Sequence, residues 1–438
     1  MMQYFSDPIL RAPVWGCMLM CLSASLMGVV VFLRKTSLLA EALSHASYPG
    51  VVLAMFVLAG SSLSGQTNDW MFLVVLLGAL ISSFLALQAI EWLKNKRKVI
   101  SDTALCFVLS LFFGVGIVAS SALQSSYPSW SKQVHMLLFG QAATMTDVHI
   151  VIYGVLAFFV VVFLLFAYRP IHMMLFDSAY ASSSGVRVQW VERIFFAFLL
   201  LSVVVGMRSV GMILMSGMLV APAVAARQYT NRLSRMFILA GLFGVASAFL
   251  GYVLSVEGSL YWSTPTSKCS LPTGPLIVLV GVLLALGSLC FAPQRGVVFR
   301  LIRVFTFHLR CLQENILKGL WKRKNASLHQ LQETHLVSFV LLRWVLWRMI
   351  RQGWLRKETS HYELTGDGYQ KAAAVVRLHR LWEVYLTDYL DKEPGCVHRN
   401  AEEMEHILTP DLERRLTELL SNPQKDPHHQ PIPDRKLL

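Results

Sequence analysis

The sequence predicts an all-α fold class in two parts: a polytopic membrane domain of about nine transmembrane helices, then a mostly α soluble module holding a winged helix-turn-helix and a further helical domain. Three observations predict it. Charge density changes abruptly, with about 25 Asp, Glu, Lys and Arg in residues 1–292 and about 40 in residues 293–438. Apolar runs in the first part are long enough to cross about 30 Å of hydrocarbon. Loops rich in Lys and Arg alternate between those runs with loops that have few.

The runs fall at roughly 14–33, 42–60, 70–90, 103–122, 148–167, 192–207, 209–226, 236–255 and 274–292. The sixth and seventh are short and split only at Arg208. Basic clusters lie at 34–35, 94–98, 169–193, 227–235 and from 295 onward, whereas 61–69, 123–147 and 256–273 carry few positive charges. Nine spans put every basic cluster on the cytoplasmic side, with the N-terminus outside and the tail inside. An even number breaks that alternation. The first run, from Val14, is too long for a cleaved signal and is followed by Arg34 and Lys35, so it reads as a retained span. The seven Cys are scattered without a CxxC pair, which argues against a disulfide framework and against a thiolate zinc cluster.

Ser44, His45, Ser47 and Pro49 interrupt the second run, and Glu41 lies one turn before His45. Ionisable groups at membrane depth are costly and usually face a cavity, which makes Glu41 and His45 candidates for a cation path. A helix end reaching for the interface is the competing reading. Pro49–Gly50 and Ala221–Pro222 fit broken or closely packed spans.

The formal net charge of +13 divides into about +7 before residue 293 and about +6 after it. Between Arg300 and Glu358 about a dozen Lys and Arg face three Glu. That excess suits phosphate, from lipid headgroups or nucleic acid, or a solvated basic linker. A basic amphipathic stretch at 301–324 leaves the membrane, and helical segments follow at 328–332 and 334–353. A two-stranded ribbon is predicted over 354–358 and 361–365, closed by Gly366 and Gly368. Helix, helix, wing is a winged helix-turn-helix pattern. Arg343, Trp347 and Arg351 would share one stripe of its recognition helix, and Arg343, Arg348, Arg351 and Lys357 are the candidate phosphate contacts. The second helix is unusually apolar, so a helical hairpin packed on the membrane domain is the alternative. The expected divisions are 1–292 for the membrane domain, 293–313 for a basic linker, 314–371 for the winged helix and 372–438 for the last domain.

That last domain carries His379 and Glu383 four apart on one helix, then His398, Glu402, Glu405 and His406 on one stripe of the next. Imidazoles and carboxylates without thiolate suit a borderline-hard divalent ion such as Mn²⁺ or Fe²⁺, and Zn²⁺ would also bind. A charged, solvated helix face is the competing reading.

Two family resemblances follow from these residues. FLRKTSLLAEALSHASYPGVVLA (32–54), SDTALCFVLS (101–110), LLFGQ (137–141), FDSAYASSSGV (176–186), RSVGMILMSGMLVAPAVAAR (208–227) and LPTGPLIVLV (271–280) resemble, in order, the manganese/zinc/iron ABC-transporter permeases. The resemblance implies a homodimeric channel, or one paired with a second permease. It also implies a separate ATPase docked on a loop containing Phe176, Asp177 and Gly185, and an extracytoplasmic binding protein that delivers the metal. The chain has no GxxxxGK[ST] phosphate loop, so ATP hydrolysis falls to the partner and the chain itself is expected not to be an enzyme. RLHRLWEVYLTDYL (377–390), VHRNAEEMEHILTPDLERRLTELL (397–420) and QPIPD (430–434) resemble the metal-binding and dimerisation domain of the diphtheria-toxin-repressor family. That likeness puts ancillary metal ligands on His379, Glu383 and His398, and primary ligands on Glu402, Glu405 and His406. Glu402 stands where iron-type members have Cys and manganese-type members Glu. The first-helix ligand falls on Asn315, neutral where Met or Asp is usual, with Glu314 beside it as a substitute.

The combined expectation is a multi-pass inner-membrane permease of a divalent-metal ABC importer, for iron, manganese or zinc, fused to a metal-dependent repressor. The ion would be both cargo and corepressor, and the tail would bind operator DNA as a dimer. Release of the tail by cleavage within 293–313 is left open. One alternative is a cytosolic metal sensor that inhibits transport without binding DNA; another makes the membrane part only an anchor.

Overall fold

The computed structural model describes residues 3–60, 69–140, 142–212, 214–262, 271–358, 360–390, 404, 406 and 410–434. The chain divides into two compact units, Met1–Phe299 and Arg300–Leu438.

Among its described residues the first unit is helical, without strands. Helices α1 (Gln3–Ser6), α2 (Pro8–Leu33), α3 (Ser37–Gly60), α4 (Asp69–Asn95), α5 (Ser101–Ser126) and α6 (Pro128–Phe139) come first. They are followed by α7 (Asp147–Phe166), α8 (Tyr168–Phe176), α9 (Ser178–Ser183), α10 (Val188–Gly206), α11 (Met215–Tyr229), α12 (Leu233–Trp262) and α13 (Thr273–Phe291). The buried centre is α2, flanked by α7, α11 and α12, while α3 packs on α4 and α5. Close approach depends on small residues. A Cβ on Gly28 would stand 1.8 Å from the Leu219 carbonyl oxygen, and one on Gly50 2.1 Å from that of Gly78. Outward faces of α4, α5 and α7 carry exposed Leu, Ile, Val and Phe, as helices solvated by lipid do.

The expectation of about nine spans holds to within one. Among the described residues eight helices are long and apolar enough to cross a membrane: α2, α3, α4, α5, α7, α10, α12 and α13. The stretch predicted as a seventh span, 209–226, begins as non-helical backbone and becomes helical only at Met215, leaving a 15-residue α11. That is about 22 Å of helix, short of the hydrocarbon thickness. The break has a physical cause. Gly211 adopts φ +99°, the Met212 N–H donates to the Leu137 carbonyl at 3.3 Å, and the Ser44 hydroxyl donates to the Met212 carbonyl. Ser209, Val210 and Met212 are buried. Irregular backbone survives at such depth when protein groups satisfy it, as here.

Helix α14 (Val297–Arg323), which belongs to the second unit from Arg300 on, runs unbroken through most of the stretch expected as a linker. A short strand that the sequence did not predict follows, β1 (Asn325–Ser327), then α15 (Leu328–His335), α16 (Phe339–Arg351), β2 (Leu355–Glu358), β3 (His361–Leu364) and α17 (Gly366–Asp388). The last helix is α18 (Pro410–Leu419). The strands form one antiparallel sheet in the order β1-β3-β2, with Ala326 opposite Tyr362 and Leu355 opposite Leu364. Caps explain the boundaries. Ser327 and Gln330 make a reciprocal capping box that starts α15. Leu336 at φ 49° ends that helix, so the break between the two helices falls at 336–338 and the second starts at Phe339 rather than at 334. Thr365 caps α17 through the Gly368 N–H. Leu309, Ile316, Leu317 and Leu320 of α14 join Leu342, Val345, Leu346 and Met349 of α16 in the core. The apolar residues that made α16 doubtful as a DNA-reading helix are thus partly its packing face.

Candidate functional site

The metal-ligand candidates of the second unit come together in two pairs. His379 and Glu383, one turn apart on α17, bring Nε2 and Oε1 to 3.2 Å, with side chains only 7% and 2% exposed. His406 Nδ1 lies 2.6 Å from Glu314 Oε2 on α14, and that imidazole is also nearly covered. The carboxylate reaching His406 is therefore that of Glu314, while Asn315 takes the adjacent half-buried position on the helix. His398, Glu402 and Glu405 lie outside the described residues. Among the described residues no three His, Cys, Asp or Glu side chains gather as one metal-binding group. Each pair presents one imidazole and one carboxylate, the donor chemistry of Mn²⁺, Fe²⁺ or Zn²⁺. A carboxylate so deeply buried is costly unless a positive charge or hydrogen bonds compensate it, which fits a cation here.

Sequence reasoning missed what holds α17 in place. Arg377, 2% exposed, donates from Nη1 to the Pro433 carbonyl at 2.7 Å and from Nη2 to Thr417 Oγ1 at 3.3 Å. Its Nε meets Glu413 Oε1 at 3.3 Å. Arg380 bonds the Pro431 carbonyl and pairs with Asp426 at 3.4 Å. The QPIPD segment is thereby tied to the helix that carries His379 and Glu383. Nothing in the spacing of Arg377 and Arg380 distinguishes them from surface arginines.

On α16, Arg343, Arg348 and Arg351 are exposed, as is Lys357 on β2. Each arginine lies over an aromatic ring of its own helix: Arg343 over Phe339 at 5.6 Å, Arg348 over Trp344 at 5.6 Å and Arg351 over Trp347 at 4.7 Å. The outward face of α16 is therefore cationic and aromatic. Behind it His335 is held below the usual imidazole range by burial and by the charges of Arg323 and Lys318.

In the first unit, α3 brings Glu41 and His45 to partly buried positions. The His45 ring meets Phe113 edge-on at 4.9 Å, and its buried Nδ1 has no hydrogen-bond partner among the described residues. Ser44 is bonded to the broken segment, and Ser82 and Ser83 of α4 donate to the carbonyls of Ala46 and Leu43 at 2.6 and 3.2 Å. The Pro49 ring removes one backbone donor from this region of α3, and these hydroxyls solvate its carbonyls. Elsewhere, Asp177 caps α9, its Oδ1 accepting from the N–H groups of Ala179 at 2.8 Å and Tyr180 at 3.2 Å. Gly185 takes φ +83° with open space around it. Phe176, 88% exposed, and Tyr180 project from this elbow into solvent.

The ABC 3 transport family profile matches residues 6–292, and that of the iron dependent repressor metal binding and dimerisation domain matches residues 365–434. The chain is 33% identical to a probable metal transport system membrane protein of Chlamydia trachomatis, over 98% of this chain and 97% of that one. It is 29% identical to a manganese transport system membrane protein of Bacillus subtilis, over 85% of this chain and 82% of that protein. It is 34% identical to a zinc transport system membrane protein of Treponema pallidum, over 69% of this chain and 95% of that protein. Among solved structures it resembles PsaBC from Streptococcus pneumoniae in complex with Fab, with TM-score 0.56 and 25% identity, covering 67% of this chain and 95% of that one.

Proposed function

We propose that this chain, which belongs to the ABC 3 transport family, is the permease subunit of an ABC importer for a divalent transition metal, fused to a metal-dependent DNA-binding repressor. One observation carries the reading. A single chain joins an ABC 3 bundle to an iron dependent repressor metal-binding domain, and the relative from Chlamydia trachomatis aligns over both.

The cation would pass the side of α3 that carries Glu41 and His45, where His45 Nδ1 and the serine-lined break offer polar atoms inside an apolar bundle. Manganese and zinc are the metals in the names of the relatives, and Glu402 with its neighbouring imidazole favours manganese or iron. Transport needs no covalent chemistry from this chain. A separate ATPase would grip Phe176, Asp177 and Gly185, and an extracytoplasmic binding protein would supply the ion. Alternation of the basic loops is kept if the segment 207–229, broken backbone followed by α11, makes the ninth crossing. The tail then lies in the cytoplasm of a cell whose inner membrane holds the bundle.

In the tail, His406, Glu402, Glu405 and Glu314 would hold one ion, and His379, Glu383 and His398 a second. An ion shared between His406 and Glu314 ties the α17–α18 region to α14, and α14 is core to the winged helix. Metal binding would thus fix the spacing of two DNA-reading helices in a dimer. Full-length protein in detergent should retard its own operon's upstream DNA more strongly with Mn²⁺ or Fe²⁺ than without. Binding equal on random DNA and indifferent to metal would overturn the repressor reading. In proteoliposomes with the ATPase and binding protein, Asp177→Ala should lower coupled uptake while leaving insertion intact. Normal uptake would remove the elbow from the coupling path.

A further inference from the structure

Residues 301–305 of α14 present an apolar surface that the described residues leave exposed. Leu301, Phe305, Leu309 and Ile316 lie on one stripe of this helix, spaced by whole turns. Leu309 and Ile316 are buried in the core of the second unit, at 5% and 0% exposed. Leu301 and Phe305 are 62% and 53% exposed, and Ile302 beside them 51%. The face that packs the domain therefore continues past it, uncovered among the described residues. Contiguous exposed apolar area of this kind marks an interaction site.

Chemistry selects the occupant. Arg300, Arg303 and Arg310 lie on the opposite arc of the same helix, Arg295 precedes it, and residues 293–313 contain no Asp or Glu. An apolar stripe backed by arginines, in a stretch whose sequence has no acidic residue, matches the boundary between acyl chains and anionic headgroups. Position along the chain agrees. The last apolar span, α13, ends at Phe291, and α14 starts at Val297 after a tight turn in which the Gly296 N–H donates to the Ala292 carbonyl at 2.8 Å. Five intervening residues extend at most about 17 Å, so α14 begins at the membrane face where α13 ends. A second copy of α14 in that place would bring arginines together with no acid to offset them.

We infer that α14 from Val297 to about residue 308 lies in the headgroup region of the membrane, its Leu301–Phe305 face among acyl chains and its arginines on anionic phosphates. The same helix carries Glu314 further along, so a lipid seat on its first part and His406 beyond it would act on one helix.

The full-length chain, reconstituted in vesicles with a photoreactive benzoylphenylalanine at Ile302, Phe305 or Thr306, tests this. Positions 302 and 305 should give lipid adducts and position 306, on the polar arc, far fewer. Adduct yield at 305 should be higher in vesicles containing phosphatidylglycerol than in phosphatidylcholine alone. With Arg300→Glu, Arg303→Glu and Arg310→Glu combined, it should fall by about threefold or more in the anionic vesicles. Chain-to-chain adducts at 302 and 305 would overturn the inference in favour of a second copy, and adducts to added duplex DNA in favour of nucleic acid. Equal, low yields at all three positions would mean a solvated helix and also overturn it. The wild-type pattern of 302 and 305 against 306 decides the matter even if the triple variant fails to fold, and neither result alters the permease assignment.

Discussion

The bundle and the tail are both helical, yet they bury opposite kinds of polar group. Among the described residues of the bundle, the fully buried polar side chains are serines, His149 aside. Most of their hydroxyls return to carbonyls one turn back, as Ser23 does to Met20 and Ser247 to Gly244, both at 2.8 Å, or cross to a neighbouring helix, as Ser82 does to Ala46. The tail instead buries Arg377, His379, Glu383 and Asp426. The difference teaches what each surrounding permits. A lipid-solvated bundle gains packing from small residues and tolerates neutral hydroxyls, whereas an ionised group there is costly. A small water-solvated domain can bury charges when each meets a partner, and the pairs then hold its shape.

The comparison is sharpest at Arg377. Arg377→Ala strands Glu413 and the Pro433 carbonyl, and should destabilise the α17–α18 region by about 3–5 kcal/mol. Ser247→Ala in α12 should cost only about 0.6 kcal/mol. Hydrogen exchange of the full chain, read on peptides from α17 and from α12, separates the two; equal losses would break the contrast.

Next in size is the metal. Glu314→Gln should weaken Mn²⁺ binding by the full chain roughly 10–100-fold, as loss of a supporting carboxylate does at metal sites. Asn315→Ala should leave affinity nearly unchanged. A titration with the reverse ranking would return the first-helix position to Asn315.

The smallest expected effect is a pH response confined to the tail. His335 is held below the usual imidazole value of 6.5 in the folded state, by burial and then by Arg323 and Lys318. Unfolded chains take up this proton as pH falls through about 6.5 while the folded chain resists it, so the stability involved is present above that pH and lost below it. Protection of α15 and α16 should decline between pH 7.5 and 5.5, and His335→Gln should flatten the decline. A matching decline across α2 and α12 would show that the tail is not the titrating part.

Sequence periodicity and charge made most of the fold legible. Runs of about twenty apolar residues have few other places to be stable than lipid, so α2–α5, α7, α10, α12 and α13 could be read directly. The ribbon at 354–365 was legible from its turn residues, and the i, i+4 spacing of His379 and Glu383 is enough to put them on one helix face, where their side chains meet. β1 was not legible, because three residues of pairing carry no periodic signal.

By itself the sequence determined which residues must leave water, which segments make the two-stranded ribbon, and which side chains could bind a metal. All of that depends on neighbours within a turn or two. Tertiary structure alone decided that 209–212 is broken backbone, because its groups are satisfied by Leu137 and Ser44, far away in the chain. It alone decided that Glu314 rather than Asn315 meets His406, and that Arg377 holds the C-terminal segment. Adjacent residues on a helix point about 100° apart, and only the packing of that helix against its neighbours selects which of them faces the site.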